Sequence, residues 1–180
     1  MSSEAGDAVY WTRFTYKEWN IYLAAVEDGL CYAGVPNEPF EELIRWTQSA
    51  LPGSALIQAD HSMRPYVSEF SAYLQGRRQS FSFPLVLSGT PFQKAVWETL
   101  CQIPYGQTQT YSDIARQIGK PTAVRAVGAA IGANPLLMAV PCHRVIGKNG
   151  KLTGYRGGLE MKAYLLQMEQ KQAHQLNGYS

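Results

Sequence analysis

The chain has 180 residues, three cysteines without a C-x-x-C spacing and a formal net charge of +2. That length fits two small domains, the odd cysteine count argues against a disulfide framework or a structural zinc site, and the small charge alone does not indicate a nucleic-acid partner. No apolar run approaches the ~18 residues of a membrane span, and Met1–Asp7 lacks a signal-peptide pattern, so we expect a cytoplasmic protein that binds no membrane.

Residues 1–88 predict an N-terminal α/β domain. Runs rich in β-branched and aromatic residues predict strands, and apolar residues at helical spacing predict helices. The predicted strands are Val9–Tyr16, Asn20–Val26, Leu30–Val35 and Ser80–Leu87, with Asp28-Gly29 as a hairpin turn, and the predicted helices are Glu41–Ala50 and Pro65–Gly76. Nothing in this half indicates a functional site, and we interpret Cys31 and His61 as structural residues.

The segment Ser88-Gly89-Thr90-Pro91 is short, polar and rich in turn-forming residues, so it predicts a domain boundary. The second domain would cover residues 89–172, and residues 173–180 would form a tail. The charge changes sign at the same place, because residues 1–88 hold 6 Lys/Arg against 10 Asp/Glu, whereas residues 89–170 hold 9 against 4. This asymmetry favours a basic second domain that faces an anionic partner.

The second domain has the pattern of a winged helix-turn-helix. Its predicted elements are a helix capped by Thr90 and starting at Pro91, helices at Ser112–Ile118 and Pro121–Gly132, and a hairpin of Val145-Ile146 and Leu152-Thr153 around the turn Lys148–Lys151. Two short helices joined by a turn that contains glycine, here Gly119, are typical of a helix-turn-helix. The hairpin would form the wing.

The last helix of that motif has an outer surface of alanines and glycines with a single arginine, Arg125. A helix that reads the major groove displays several polar side chains to the base edges, and this one has almost none. Tiny side chains would let a helix approach the minor groove closely, and Arg125 would then be long enough to reach into the base stack. The alternative is that the small residues allow tight helix packing within the protein, with Arg125 solvated.

The stretch Val140–Gly147 places a thiol, an imidazole and a guanidinium in consecutive positions. Cys142 is the candidate nucleophile, and because only a thiolate attacks, it needs a base or a cation nearby, for which His143 is the candidate. Neighbouring side chains on an extended backbone point to opposite faces, so we expect a bridging water between the two. Pro141 would stiffen the approach to Cys142. The alternative is that Cys142 is a small buried hydrophobic residue.

The run Pro141–Gly147, together with Arg125–Gly128, Asn134-Pro135 and Gly154–Leu159, strongly resembles the O6-alkylguanine-DNA alkyltransferases, or methylated-DNA–protein-cysteine methyltransferases. The match covers about residues 90 to 170. It implies an α/β fold, with an N-terminal ribonuclease-H-like α/β domain followed by a C-terminal winged helix-turn-helix domain. It also implies an enzyme of DNA repair that acts by direct reversal and is used once. The alkyl group would pass from O6 of guanine, and from O4 of thymine, to Cys142.

The resemblance further implies that the partner is double-stranded DNA with an alkylated, flipped-out guanine, and that no cofactor or metal is needed. We expect a monomer in solution, located at the nucleoid if the source is bacterial. His143 would take the proton of the cysteine through a water, and Glu169 would orient His143. Glu169 follows Leu165 and Leu166 by four and three positions, which places it on the inward side of a helix, where a carboxylate needs a cationic or hydrogen-bonding partner.

Other roles implied by the resemblance concern DNA. Tyr111 would rotate the target phosphate and donate a proton to the departing guanine. Arg125 would fill the place in the base stack that the flipped guanine leaves. Ala123, Ala126 and Ala129 would lie against the DNA on the same helix.

The remaining roles concern the pocket for the flipped base. Asn134 would tie the helix-turn-helix to the active-site segment, Tyr155 would line the pocket, and the backbone carbonyl of Val145 would meet the guanine amino group. Leu137 and Arg156 would border the pocket, where they would limit the room for bulky benzyl-type adducts.

Two other classes of function remain open from the residues alone. One is a non-catalytic protein that binds alkyl lesions or acts as a helix-turn-helix regulator, which would leave the set of Cys142, His143 and Glu169 unexplained. The other is a papain-like hydrolase, which would need turnover, and the sequence around Cys142 lacks the C-G-S-C-W type of signature.

Overall fold

The computed structural model describes residues 6–177 and contains six strands and six α-helices within that range. The strands are β1 (Ala8–Tyr16), β2 (Trp19–Val26), β3 (Gly29–Ala33), β4 (Ala55–Gln58), β5 (Gln109–Thr110) and β6 (Val145–Ile146). The helices are α1 (Phe40–Ala50), α2 (Arg64–Leu74), α3 (Pro91–Leu100), α4 (Tyr111–Gln117), α5 (Val124–Gly132) and α6 (Leu159–Asn177), with a 3₁₀ turn at Cys142–Arg144. Residues 1–5, where we expect no signal peptide, and residues 178–180 of the predicted tail lie outside the described range.

The first half is an α/β layer built on a sheet with the strand order β3-β2-β1-β4. β2 pairs antiparallel with β1 and β3, whereas β4 pairs parallel with β1 at the edge of the sheet. Three predicted strands and both predicted helices are confirmed to within two residues. The sequence did not predict β4, which has only four residues, three of them exposed, including Ile57.

The prediction of a strand at Ser80–Leu87 is wrong. Pro84 has no backbone N–H to donate to a sheet, so the segment touches β3 only through single backbone contacts such as that of Val86 N with the carbonyl of Leu30. The alternating Phe81 and Phe83 stack instead on the ring of Phe70 in α2, with ring centroids 4.8 and 5.7 Å away. Their alternation therefore reflects packing in an aromatic cluster.

The helix-turn-helix of the second half is confirmed, with shifts of a few residues at the helix starts. Thr90 caps α3 by accepting a hydrogen bond from Gln93 N at 3.1 Å. Thr110 caps α4 in the same way, so this helix begins at Tyr111, one residue earlier than predicted. Gly119 directly follows the C-cap of α4 and has a φ of +75°. A residue with a side chain would be strained in this conformation.

The predicted hairpin of the wing is wrong. β6 pairs in parallel with β5, the extended segment that leads into α4, and Leu152-Thr153 forms no strand. The turn itself is present, because Gly147 N donates to the carbonyl of Lys151 and Gly150 N donates to the carbonyl of Gly147. Lys162 Nζ donates to the carbonyls of Val145 and Thr153, at 2.6 and 2.9 Å, and so holds the two sides together in place of a strand ladder.

One large apolar core connects the two halves. It contains Phe14 of the sheet, Phe70 of α2, Trp97 of α3 and Leu165 of α6, all of them buried. Tyr164 of α6 also donates from its hydroxyl to the carbonyl at the end of α2 at 2.8 Å. Helix α6 therefore lies against α2 of the first half. It also extends to Asn177, so the first five residues of the predicted tail, 173–177, are helical. Among residues 6–177, no helix combines the length and the apolar character that a membrane crossing requires.

Candidate active site

Cys142 lies in a tight turn that the sequence did not predict. Residues Cys142–Arg144 form a 3₁₀ turn closed by the hydrogen bond from Arg144 N to the carbonyl of Pro141, whereas we expected extended backbone here. Asn134 Nδ2 donates to Cys142 Sγ at 3.2 Å and to the carbonyl of Val140 at 3.1 Å. Asn134 directly follows the end of α5, so the helix-turn-helix and the cysteine share one hydrogen-bonding side chain.

Cys142 rests as a protonated thiol, because its side chain is only 2% exposed. Burial raises the pKa of Cys142 to about 11, although the Asn134 hydrogen bond and the charge of Lys162 partly offset this. Burial likewise raises the pKa of Cys31 to about 12 and raises that of Cys101. A low thiol pKa therefore does not distinguish Cys142 from the other two cysteines, and a nearby base must remove its proton when it reacts.

His143 is placed to be that base. Its Nε2 lies 2.7 Å from Glu169 Oε2, and since an ionised carboxylate only accepts hydrogen bonds, the proton of the neutral ring is on Nε2. Nδ1 is then the free acceptor; it is buried and has no hydrogen-bonding partner among the described residues. Burial lowers the pKa of His143, and Glu169 opposes this only in part, so the ring is neutral at pH 7 and can accept a proton.

Glu169 is completely buried on the inward side of α6. Arg144 donates to it from Nε at 2.8 Å and from Nη2 at 3.0 Å, in addition to the hydrogen bond with His143. Burial alone would raise the pKa of Glu169, but the hydrogen bonds and charges of His143 and Arg144 outweigh it and hold the pKa at about 2. The carboxylate is therefore ionised at neutral pH.

The first half of the chain contributes one side chain to this cluster, where the sequence indicated no functional site. Tyr73 of α2 is fully buried, and its hydroxyl donates to Glu169 and lies 3.1 Å from His143 Nε2. The sequence gives no signal for this contact, because Tyr73 looks like one more apolar position of a helix. Arg144 was also missed as a partner of Glu169, although its place directly after Cys142-His143 would have suggested it.

An open cleft of about 590 Å³ lies between α5 and the segment from Gly147 to Arg156, and neither Cys142 nor His143 is among the residues that line it. Its lining residues are Tyr111, Gly128, Ile131, Gly132, Gly147, Thr153, Gly154, Tyr155 and Arg156. The hydroxyl of Tyr155 is buried without a partner in the part of the chain that is described, and Arg156 donates to the carbonyl of Asn134 at 2.8 Å. Leu137 and Val145 are fully buried within the described range and do not line the cleft, and the Val145 carbonyl already accepts from a lysine.

The outer surface of α5 carries small residues that face solvent. Arg125, Ala126 and Ala129 are exposed, and Ala123 at the start of the helix is half-buried. The opposite side of α5 packs into the protein. There the backbone carbonyl of Ala130 accepts a hydrogen bond from the indole N–H of the buried Trp97 at 2.8 Å. Tight packing within the chain therefore does not explain why Ala126 and Ala129 are small.

Comparison with known proteins gives consistent matches over nearly the whole chain. The family model described as 6-O-methylguanine DNA methyltransferase, ribonuclease-like domain, matches residues 9–87, and the one described as 6-O-methylguanine DNA methyltransferase, DNA binding domain, matches residues 91–171. The inducible methylated-DNA–protein-cysteine methyltransferase of Bacillus subtilis is 54% identical over 94% of each chain. A methylated-DNA–protein-cysteine methyltransferase of Methanosarcina acetivorans is 40% identical, over 89% of this chain and 98% of that one.

Solved structures agree with this result. The crystal structure of Mycobacterium tuberculosis OGT in complex with DNA is 36% identical, covers 91% of this chain and 94% of its own, and superposes with a TM-score of 0.75. The N-terminal ribonuclease-like domain and the DNA-binding second half expected from the sequence are thereby confirmed.

The buried charge of Glu169 generates a prediction about stability. Glu169→Gln should lower the free energy of unfolding at pH 7 by about 3 kcal/mol, because it leaves the guanidinium of Arg144 buried without a charge partner. Since the pKa of Glu169 is lowered from 4.5 to about 2, its ionised form stabilises the fold above about pH 4.5 and loses this effect as the pH falls toward 2. Urea unfolding measured from pH 7 to pH 3 should therefore show the difference between wild type and variant shrinking.

The exposed Glu98 of α3 offers a matched control, because Glu98→Gln removes the same charge outside the cluster. It should change the free energy of unfolding little over this pH range. Curves for wild type and Glu169→Gln that stay parallel down to pH 3 would contradict the assignment of a buried, ionised carboxylate.

Proposed function

Because the chain belongs to the 6-O-methylguanine DNA methyltransferase family, we propose that Cys142 is the residue that accepts the methyl group. The protein is an enzyme of DNA repair that reverses the damage directly, by transfer of a methyl group from DNA to a cysteine of its own chain. The observation that supports the choice of Cys142 is the buried Nδ1 of His143, a free acceptor on the residue that directly follows this buried thiol. Cys31 and Cys101 have no comparable arrangement.

The reaction is a single displacement. The sulfur of Cys142 attacks the methyl carbon, the S–C bond forms as the C–O6 bond breaks, and the electron pair of that bond stays with guanine. The thiol proton moves to His143 Nδ1, through a bridging water, and Glu169 stabilises the imidazolium that results. Water does not readily displace the sulfur of a thioether, so Cys142 is not regenerated and each chain acts once.

The departing guanine needs a proton to become neutral, and we assign its donation to Tyr111. This residue lines the cleft, and its hydroxyl accepts a hydrogen bond from Thr153 Oγ1 at 3.3 Å, which leaves its own proton free to be donated. The tyrosine then regains a proton from solvent, and His143 releases one. The protonation states before and after the reaction therefore balance.

The cleft would hold the flipped guanine. Asn134 donates to the carbonyl of Val140 and to the sulfur of Cys142, and its backbone carbonyl accepts from Arg156 of the cleft lining. The buried hydroxyl of Tyr155 offers a hydrogen bond to the base. The Val145 carbonyl accepts from Lys162, but a carbonyl oxygen has a second lone pair for the guanine amino group. Arg156 lines the cleft, whereas Leu137 is buried in the core and does not line it.

Helix α5 would lie along the minor groove of the DNA. The exposed Ala126 and Ala129 allow the backbone to come close, Ala123 lies at the same end, and Arg125 is long enough to enter the base stack that the guanine has left. Flipping is needed because the reacting carbon is otherwise buried in the stack. Weakened pairing at the lesion reduces the free energy that flipping requires.

The range of substrates would include O4-methylthymine as well as O6-methylguanine, with bulky benzyl-type adducts limited by Arg156. We further propose that the protein works as a monomer on double-stranded DNA in the cytoplasm, at the nucleoid if the source is bacterial. A non-catalytic lesion-binding or regulatory function would leave the buried base beside Cys142 without a use, and a papain-like hydrolase would need an acyl intermediate that water releases.

The number of methyl groups transferred tests this function. With an excess of duplex that carries one O6-methylguanine, each chain should accept at most one methyl group, and peptide mapping by mass spectrometry should place it on Cys142. Cys142→Ala should bind the same duplex without accepting a methyl group. Cys31→Ala serves as the matched control and should transfer normally. A second equivalent of product, or methyl on Cys101, would exclude the proposed mechanism.

The role of Arg125 can be separated from the chemistry. Arg125→Ala should slow methyl transfer from duplex DNA by about tenfold or more, and should leave the reaction with free O6-methylguanine base nearly unchanged, since only the duplex has a stack to fill. Arg45→Ala removes the same charge from the exposed surface of α1 and is the control. Equal slowing of Arg125→Ala on both substrates, measured as single-turnover rate constants, would exclude the role in flipping.

A further inference from the structure

Tyr73 connects the first half of the chain to the reacting residues. It lies near the end of α2, is completely buried, and its hydroxyl contacts both Glu169 Oε2 and His143 Nε2. The ring is held by Phe81, at 5.2 Å between centroids, and by an edge-to-face contact with Tyr105 at 6.4 Å. Packing therefore fixes where the hydroxyl points.

We propose that Tyr73 is a positioning residue for methyl transfer, which acts on His143 through Glu169 and holds the ring with its free Nδ1 toward Cys142. This inference rests on the proposed function, and it extends the active site into the ribonuclease-like half. Tyr73 does not touch the substrate or the sulfur.

The donor and acceptor properties of the groups decide how these hydrogen bonds run. The carboxylate of Glu169 only accepts, so the hydroxyl of Tyr73 donates its proton to it. The phenolic oxygen then keeps a lone pair toward His143 Nε2, 3.1 Å away, while the carboxylate oxygen is 2.7 Å from the same nitrogen. Two acceptors thus face Nε2–H, and neither would receive a proton from His143 if the ring carried its proton on Nδ1.

The position of Tyr73 is itself secured by α6, the helix that carries Glu169. The residue after Tyr73, Leu74, accepts a hydrogen bond at its carbonyl from the hydroxyl of Tyr164 at 2.8 Å. Tyr164 and Glu169 lie on the same helix, so α2 and the carboxylate are held in a fixed relation. The first half therefore supports the geometry of the catalytic group directly, beyond its contribution to the core.

The charged and titratable groups around His143 determine how the rate of methyl transfer should depend on pH. They are Glu169, Arg144 and Lys162, with Tyr73 and Tyr155 facing the same cluster. In Tyr73→Phe the carboxylate loses one donor, so more of its charge acts on the imidazolium and the pKa of His143 should rise. Because a protonated His143 cannot accept the thiol proton, the acid limb of the transfer rate should move to higher pH.

The test uses Tyr73→Phe in the full chain, with Tyr66→Phe as the control. Tyr66 lies on the same helix, and its ring packs on Phe83 outside the cluster. Single-turnover transfer from a duplex with one O6-methylguanine should be about tenfold slower at pH 7 for Tyr73→Phe, as expected for one hydrogen bond to a charged group. The affinity for unmethylated duplex should be unchanged in both variants, and Tyr66→Phe should transfer as fast as wild type.

A double-mutant cycle with Glu169→Gln distinguishes positioning from loss of packing. If Tyr73 acts through Glu169, adding Tyr73→Phe to Glu169→Gln should slow transfer by less than twofold, since the group it acts on is already lost. Equal slowing in both backgrounds, an unchanged rate and pH profile in Tyr73→Phe, or a parallel loss of duplex affinity would each overturn the inference. Transfer by wild type in the same experiment tests the proposed function separately.

Discussion

The ionised carboxylate of Glu169, fully buried on α6, is the constraint on which the rest of the structure depends. Removal of such a group from water costs several kcal/mol, so it is tolerated only where donors surround it with good geometry. Arg144 supplies two of these donors, His143 and Tyr73 one each. These donors come from the 3₁₀ turn and from α2, and the backbone N–H of Gly106 adds a longer hydrogen bond at 3.4 Å. The fold must bring all of them to the same helix.

This requirement explains why the two halves share one core. The ribonuclease-like half supplies Tyr73, and the DNA-binding half supplies the turn that contains Cys142. The DNA contact proposed for α5 would impose a different requirement, because that helix would need only small exposed side chains and one long cation. The turn that contains Cys142 and helix α5 are connected through Asn134, which follows α5 and donates a hydrogen bond to the Cys142 sulfur.

The sequence predicted those features that depend on neighbouring positions. Cys142 and His143 are adjacent, the inward side of Glu169 follows from helical spacing, and the cap at Thr90 depends on a residue three positions away. Features that depend on distant partners could not be predicted. Tyr73 is 96 positions from Glu169, and β6 pairs with an extended segment before α4, so the local pattern of a hairpin was misleading. Proline at position 84 overrode the alternation typical of a strand.

The proposed proton transfer depends most directly on which ring nitrogen of His143 carries the proton. Nitrogen NMR of the unreacted protein at neutral pH, with histidine labelled on both ring nitrogens and His143 assigned by comparison with a His143→Gln variant, measures this. We expect a neutral ring that is protonated at Nε2 and unprotonated at Nδ1. A ring protonated at Nδ1, or an imidazolium at neutral pH, would contradict the account, because neither form could accept the proton from the cysteine.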